Sequence, residues 1–296
     1  HPEMTTTAIA EMVGKSRETV RDHFFRVYEE VVEKKVVKNN THVYLADAQV
    51  KPNIDLSYLH HQGMFLADKQ PEVIICAGDF ADMPSLSDWD KGKKSAEGRR
   101  VKADIDAAIE GMEILLQPIW DLQAKQHKDG EEVYAPRMVL TLGNHCQRLS
   151  RFAENNAAFD GFLGIENLRY EEFGWEVIPF LQPIMIDGVA YCHYFTNPYT
   201  GKPLSGSAAN MLNKIGTSFV QGHKQTLDVA TRFLATTGQQ QWGIINGAGY
   251  PHYEEYKGMH NHHYRGISVL HNVVDGSFDP MFVSLDWLKA KYGETK

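Results

Sequence analysis

From Thr41 onward the chain alternates short apolar runs with turn signals and helical stretches. The runs are HVYLAD, EVIICAGD, MVLTLGNH, VAYCHYF, SFVQGH, WGIINGAG, GISVLHNVVDG and PMFVSLDW, and each predicts a strand. Between the second and third, Val101, Ile105, Ile109, Met112, Leu115, Ile119 and Leu122 repeat at helical spacing. Pro118 is expected to bend or interrupt that helix. Strands with intervening helices first, and mostly strands later, predict a mixed α/β domain with layered sheets.

Residues 1–40 read differently, with no strand pattern before the Lys38-Asn39-Asn40 break. Ala10, Gly14 and Val20 fall where a helix-turn-helix wants a small residue, a turn glycine and a core aliphatic. Ser16 would cap the second helix, with Thr19 and Arg21 on its outward face. DNA contact is the expectation, and a helical hairpin packed on the main domain is the alternative. The expected organisation is a short helical segment over 1–40 and one large domain over 41–296.

Composition narrows the function classes. Of 296 residues 43% are hydrophobic and 23% charged, the balance of a globular protein with a sizeable core. A formal charge of −8 argues against coating nucleic acid by charge alone, while leaving room for a local basic patch. No apolar run is long enough to cross a bilayer and no signal-peptide pattern stands at the start, so no membrane partner is expected. Cys76, Cys146 and Cys192 are scattered and lie in or beside apolar runs. Reduced thiols in a cytoplasmic protein are the expectation.

The chemistry sits at the strand ends. Five runs finish on metal-ligand residues: Asp47 after VYLA, Asp79 after IICAG, Asn144-His145 after LTLG, His193 after AYC, and His223 after FVQG. In open α/β sheets the carboxyl ends of strands converge on one crevice. Two carboxylates, an amide oxygen and several imidazoles there make a ligand set for a divalent metal. Gly78, Gly143 and Gly222 let the backbone turn and present the next side chain.

Asp47-Ala48-Gln49, GDFAD (78–82), GNHC (143–146), His193 and GHKQ (222–225) together resemble the five blocks of the calcineurin-like metallophosphoesterases, over roughly residues 41–285. The stretch GDFADMPSLSDWDKGKKSAEGRR resembles a bacteriophage-encoded group in which a helix-turn-helix segment can precede the esterase domain. The resemblance implies a four-layer α/β sandwich, two mixed β-sheets flanked by helices. It also implies two divalent ions sharing Asp79. Asn144, His193 and His223 would complete the second site, and Asp47 with Asp79 would hold the first.

The family places two further histidines at the first site, and this sequence has Gln49 and Gln225 there. Both departures fall on one site, and an amide oxygen is a harder, weaker donor than imidazole. Manganese or magnesium is therefore expected over zinc or iron. The alternative is a first site that is empty, or filled only when substrate phosphate adds oxygens. His145, paired in the family with the residue here numbered Asp82, would protonate the leaving oxygen. Cys146 replaces the usual acid of the GNH block, which puts the support of that loop in question.

Lys91, Lys93, Lys94, Arg99, Arg100 and Lys102 have only Glu97 among them as an acid. They read either as a solvated loop or as a clamp for a polyanion. Arg148 and Arg151 are candidates for bidentate phosphate contacts. His252 and HNHHY (260–264) read as loop histidines, one of which could reach the substrate. The expected function is a metal-dependent phosphodiesterase or nuclease acting on nucleic acid or nucleotides, in the host cytoplasm if phage-encoded. The alternatives are a phosphomonoesterase on a small substrate, or a degenerate esterase scaffold that serves as a binding module.

Overall fold

The computed structural model describes residues 40–253 and 262–293. The helix-turn-helix-like segment over 1–40 therefore lies outside the described residues, Asn40 apart, and so do His260 and Asn261. Eleven strands and five helices are described. The chain runs β1 (His42–Leu45), α1 (Ser57–Lys69), β2 (Val73–Cys76), α2 (Val101–Asp129) and β3 (Arg137–Thr141). There follow α3 (Gln147–Asn155), β4 (Glu176–Ile178), β5 (Ile184–Ile186), β6 (Val189–Cys192), α4 (Ala208–Ile215) and β7 (Phe219–Gln221). The last elements are β8 (Asp228–Phe233), β9 (Gln240–Ile245), β10 (Gly266–Val274), β11 (Ser277–Ser284) and α5 (Leu285–Tyr292).

Both sheets are mixed. The first has the order β11-β10-β1-β2-β3-β4, with β1 to β4 parallel and β10 antiparallel to β1. The second has the order β5-β6-β7-β9-β8, with β6, β7 and β9 parallel and both edges antiparallel. Parallel neighbours need crossovers, and α1 and α2 supply them between β1, β2 and β3.

Period-two alternation sorts the buried side chains into layers. Val43, Leu45, Ile74 and Leu140 pack against Leu59, Leu66, Met112 and Leu115 of α1 and α2. Tyr44, Ile75 and Val139 face the other way and meet Tyr191, Val220 and Ile244 of the second sheet. The far side of that sheet, with Ala190, Cys192 and Phe219, is covered by Ala208, Met211 and Leu212 of α4. The layers therefore run helices, sheet, sheet, helix, as a mixed α/β sandwich.

Pro118 does not interrupt α2, which continues from Val101 to Asp129. The missing N–H costs one helical bond, but Pro118 is buried. Its ring lies beside Gly63 of α1, where an added Cβ would stand 3.1 Å from Pro118 Cδ. Packing along that contact holds the helix through the proline. Three strands had no counterpart among the apolar runs: β4, β5 and β8. All are sheet edges, two are of three residues, and β8 alternates half-buried with exposed positions.

Candidate metal centre

The carboxyl ends of β1, β2 and β3 in one sheet and of β6 and β7 in the other meet at one edge of the sandwich. Asp47, Asp79, Asn144, His145, His193 and His223 come together there. The loops after β1 and β2 are tied to each other, since Gln49 N–H donates to the Asp79 carbonyl (2.9 Å) and Val50 N–H to that of Phe80 (2.6 Å). Glycines make the approach possible. A Cβ at Gly143 would overlap the Asp79 carboxylate, and one at Gly222 would overlap Asp47 Oδ1.

Four residues of the cluster hold positive φ without being glycine: Gln49 (45°), Asp79 (47°), His223 (66°) and Gln225 (57°). Each such residue costs about 1–2 kcal/mol, and such strain concentrates where side-chain direction matters. Both glutamines thus share the backbone conformation of two expected ligands.

The residues expected at the second site come together. Ligand atoms of Asp79, His193 and His223 all lie within 4.8 Å of one another. His193 Nε2 is 3.2 Å from Asp79 Oδ2 and 3.1 Å from Asn144 Oδ1. Its Nδ1 stands 2.8 Å from the Ala77 carbonyl, which can only accept. Nδ1 therefore carries a proton, and Nε2 is the nitrogen free to bind a cation. The donor set, one carboxylate, one amide oxygen and two imidazoles, fits a divalent transition metal.

The first site is oxygen-rich. Asp47 is buried and accepts the His223 N–H on both oxygens, at 3.1 and 3.2 Å. Gln49 is 3% exposed and, among the described residues, no hydrogen bond is formed by its side chain. The Gln225 carbonyl accepts the Tyr250 hydroxyl at 2.9 Å. One of its lone pairs is therefore engaged. Tyr250 went unnoticed in the sequence, although it follows the WGIINGAG run as the other site residues follow theirs.

Burial and charge set the protonation. Burial pushes the Asp47 carboxyl up to about 6 against the pull of His193. Burial would also raise Asp79, but the charges of His145 and His193 hold it well below the usual carboxylate range. Burial would lower His193, yet the Asp79 carboxylate carries it up to about 9. His223 is pushed down to about 4 by burial and by neighbouring His193. Without a cation, Asp79 and His193 thus form an ion pair, and a bound cation would take the proton's place.

His145 stands apart from the ligands in role. Its backbone N–H donates to Asp79 Oδ1 at 2.7 Å, and its Nδ1 lies 2.7 Å from Asp82 Oδ1. The Asp82 carboxylate accepts the Nδ1 proton, and Nε2 lies 3.8 Å from Asp79 Oδ2. Burial opposes the charged ring, but Asp79 and then Asp82 outweigh it and raise its pKa. Cys146 turns away from the metal ligands into the core, with Sγ 3.8 Å from the Tyr170 hydroxyl and its thiol pushed up to about 11 by burial.

A groove of about 1200 Å³ opens beside His145, lined by Gln49, Asn144, Asp82, Lys51, Lys93, Arg99, Arg100 and Arg148, among others. The basic run thus reaches the site, but unevenly. Arg99 pairs with Asp90 at 2.8 Å and Lys93 with the same carboxylate at 3.3 Å. Arg148 lines the groove with one nitrogen of its guanidinium engaged. Its Nη1 donates to the carbonyls of Asp82 (2.7 Å) and Met83 (3.3 Å), which braces the GDFAD loop. Arg151 lies 3.9 Å from Asp88, and neither Arg151 nor exposed Lys94 lines the groove. His252 stacks on Tyr250, with ring centroids 4.3 Å apart.

Among the described residues no helix is long and apolar enough to cross a membrane. No protein-family model matches the chain. It is 24% identical over 212 residues to the Gene 54 protein of Mycobacterium phage L5, covering 69% of this chain and 77% of that protein. The Gene 54 protein of Mycobacterium phage D29 is 25% identical over the same shares. A solved crystal structure aligns over 83% of this chain and all of its own at 11% identity with a TM-score of 0.34, too low to carry an argument. The distant likeness to the two phage proteins supports a phage-type protein.

Proposed function

We propose that this chain is a divalent-metal-dependent phosphoesterase, acting as a phosphodiesterase on nucleic acid or nucleotides. One observation carries the reading: Asp79, Asn144, His193 and His223 face one point while His145, oriented by Asp82, stands beside them without being needed as a ligand. A pure scaffold has no use for a positioned proton donor.

Asp79, Asn144, His193 and His223 would hold one ion, and Asp47, Gln49, Asp79 and Gln225 the other, with manganese best suited to the oxygen-rich set. When bound, such ions polarise phosphoryl oxygens and acidify water. The protein's own contribution is positional. Asp82 keeps the His145 Nδ1 proton in place, and Asp79 with Asp82 favours the charged ring, so that Nε2 too would carry a proton for a departing oxygen. The groove then supplies cations for the rest of the substrate. A phage-type enzyme of this kind would work in the host cytoplasm, where the buried thiols of Cys76, Cys146 and Cys192 stay reduced.

The test is elemental analysis followed by hydrolysis of bis-p-nitrophenyl phosphate with manganese. Metal-dependent turnover that disappears in Asp79→Ala, with the fold retained, is the expected result. Unchanged turnover in a folded Asp79→Ala protein would sink the proposal. The Tyr250 bond to Gln225 supports the expectation of a first site that is occupied but weak. Under it, manganese titration of metal-free protein gives two unequal steps, and Gln49→His with Gln225→His tightens the weaker one and shifts preference towards zinc.

A further inference from the structure

Trp89 is 84% exposed and lines the same groove as Asn144 and His145. Its loop is held by bonds that leave the indole outside. Asp90 N–H donates to the Ser87 carbonyl (3.2 Å), Lys93 N–H to that of Asp90 (2.9 Å), and Arg99 clamps both Asp90 and the Pro84 carbonyl (2.8 and 3.0 Å). The anchored loop therefore holds the indole in water at the lining of the groove.

The charges of the groove say what kind of ligand suits it. Arg99 and Lys93 share Asp90, and Arg148 and Lys51 lie at Asp82, so much of the positive charge is locally answered. Arg100 is exposed and, among the described residues, pairs with no carboxylate. Its Nη1 donates only to the Arg99 carbonyl at 2.9 Å. A groove of about 1200 Å³ is also larger than the roughly 300–1,000 Å³ of a small-molecule pocket. An exposed indole with one unanswered guanidinium matches an unpaired base joined to its phosphate.

We propose that Trp89 is the base-stacking platform of a single-strand nucleic-acid subsite, with Arg100 receiving a phosphate of the same strand. Duplex does not suit it, because paired bases already stack on each other. The subsite rests on the phosphoesterase reading only for what happens to the strand once held. Any nucleobase offers a π-face, so the subsite grips strands with little regard to sequence.

The experiment measures binding by fluorescence anisotropy in EDTA, where no cleavage occurs. It compares a short oligothymidylate with an abasic oligomer of equal phosphate count and with a duplex of that length. The wild-type chain should prefer the oligothymidylate to the abasic strand by roughly 5- to 150-fold, the range of one base on one aromatic ring. Trp89→Ala should abolish that preference, and Trp89→Phe should retain part of it. Equal affinity for the two strands, tighter binding of duplex, or a preference undiminished in Trp89→Ala would each overturn the subsite. Manganese-dependent hydrolysis of bis-p-nitrophenyl phosphate by the wild-type chain is read in parallel. Its absence beside an intact base preference sinks the esterase reading alone, and its presence without a base preference sinks the subsite alone.

Discussion

His145 can give up a proton only through Nε2, because Asp82 holds the proton on the other nitrogen. Under the proposed function, His145→Ala should therefore keep metal binding and lose about 10²–10⁴-fold in turnover on esters with alkoxide leaving groups. The loss should be much smaller on nitrophenyl esters, whose leaving group departs without help, and the two rates measured side by side check this. Gly222 acts on the same scale. Any side chain there meets the Asp47 carboxylate and, at 3.2 Å, the Ala77 Cβ. Gly222→Ala should displace Asp47 and weaken the proposed first metal site while sparing the proposed second. Manganese titration of the variant should then show only the tighter step, and two intact steps would count against Asp47 as a ligand.

At the scale of elements, the two sheets are joined at the end opposite the candidate metal ligands by a pair of hairpins. Asp187-Gly188 closes β5 onto β6 and Asp275-Gly276 closes β10 onto β11, each as a two-residue turn with positive φ at both positions. That is the type I′ turn, whose twist matches the strands it joins. The turns also touch, since Gly276 N–H donates to the Asp187 carbonyl at 2.8 Å. A Cβ on Gly188 would overlap that same Gly276 N–H group and is disfavoured by its φ of 81° besides. Gly188→Ala should destabilise the fold by about 1–3 kcal/mol, read by chemical denaturation. The proposed metal binding should survive, because the candidate ligand His193 follows the far end of β6.

For the whole molecule, His42 links the two sheets through the core. Asp187 Oδ2 lies 3.1 Å from its Nε2 and the Tyr191 hydroxyl 2.7 Å from its Nδ1. A neutral ring satisfies both, donating from Nε2 and accepting at Nδ1. Burial lowers its pKa, with Asp187 opposing less strongly. The unfolded chain therefore binds this proton more readily than the folded one. Stability from His42 is complete above the ordinary value of 6.5 and is lost as pH falls from there towards the lower folded value. Denaturation midpoints at neutral and mildly acid pH should fall less for His42→Gln than for the wild-type chain. An equal fall in both would remove His42 from the account. Comparing the two chains cancels Asp47, whose raised carboxyl works in the opposite direction.

What could be read from the chain alone follows from local rules. Core strands such as β1, β2 and β3 are continuous apolar runs because both of their faces are covered. The glycine-then-ligand endings at Asp79 and His223 stand out because a turn and a polar side chain leave a mark in adjacent residues. Edge strands β4, β5 and β8 left no such mark, since β4 and β5 have three residues each and β8 alternates half-buried with exposed positions. The charge run from Lys91 to Lys102 read as one feature, yet only folding decided that Lys93 and Arg99 are answered by Asp90 and that Arg100 is not. The tertiary structure alone engaged one nitrogen of Arg148 with the Asp82 carbonyl, and set Tyr250 against Gln225 across 25 residues. Residue types and their order declare which atoms can donate or bind. Which of those atoms is already engaged is settled by neighbours that only the packed chain brings within 3 Å or so.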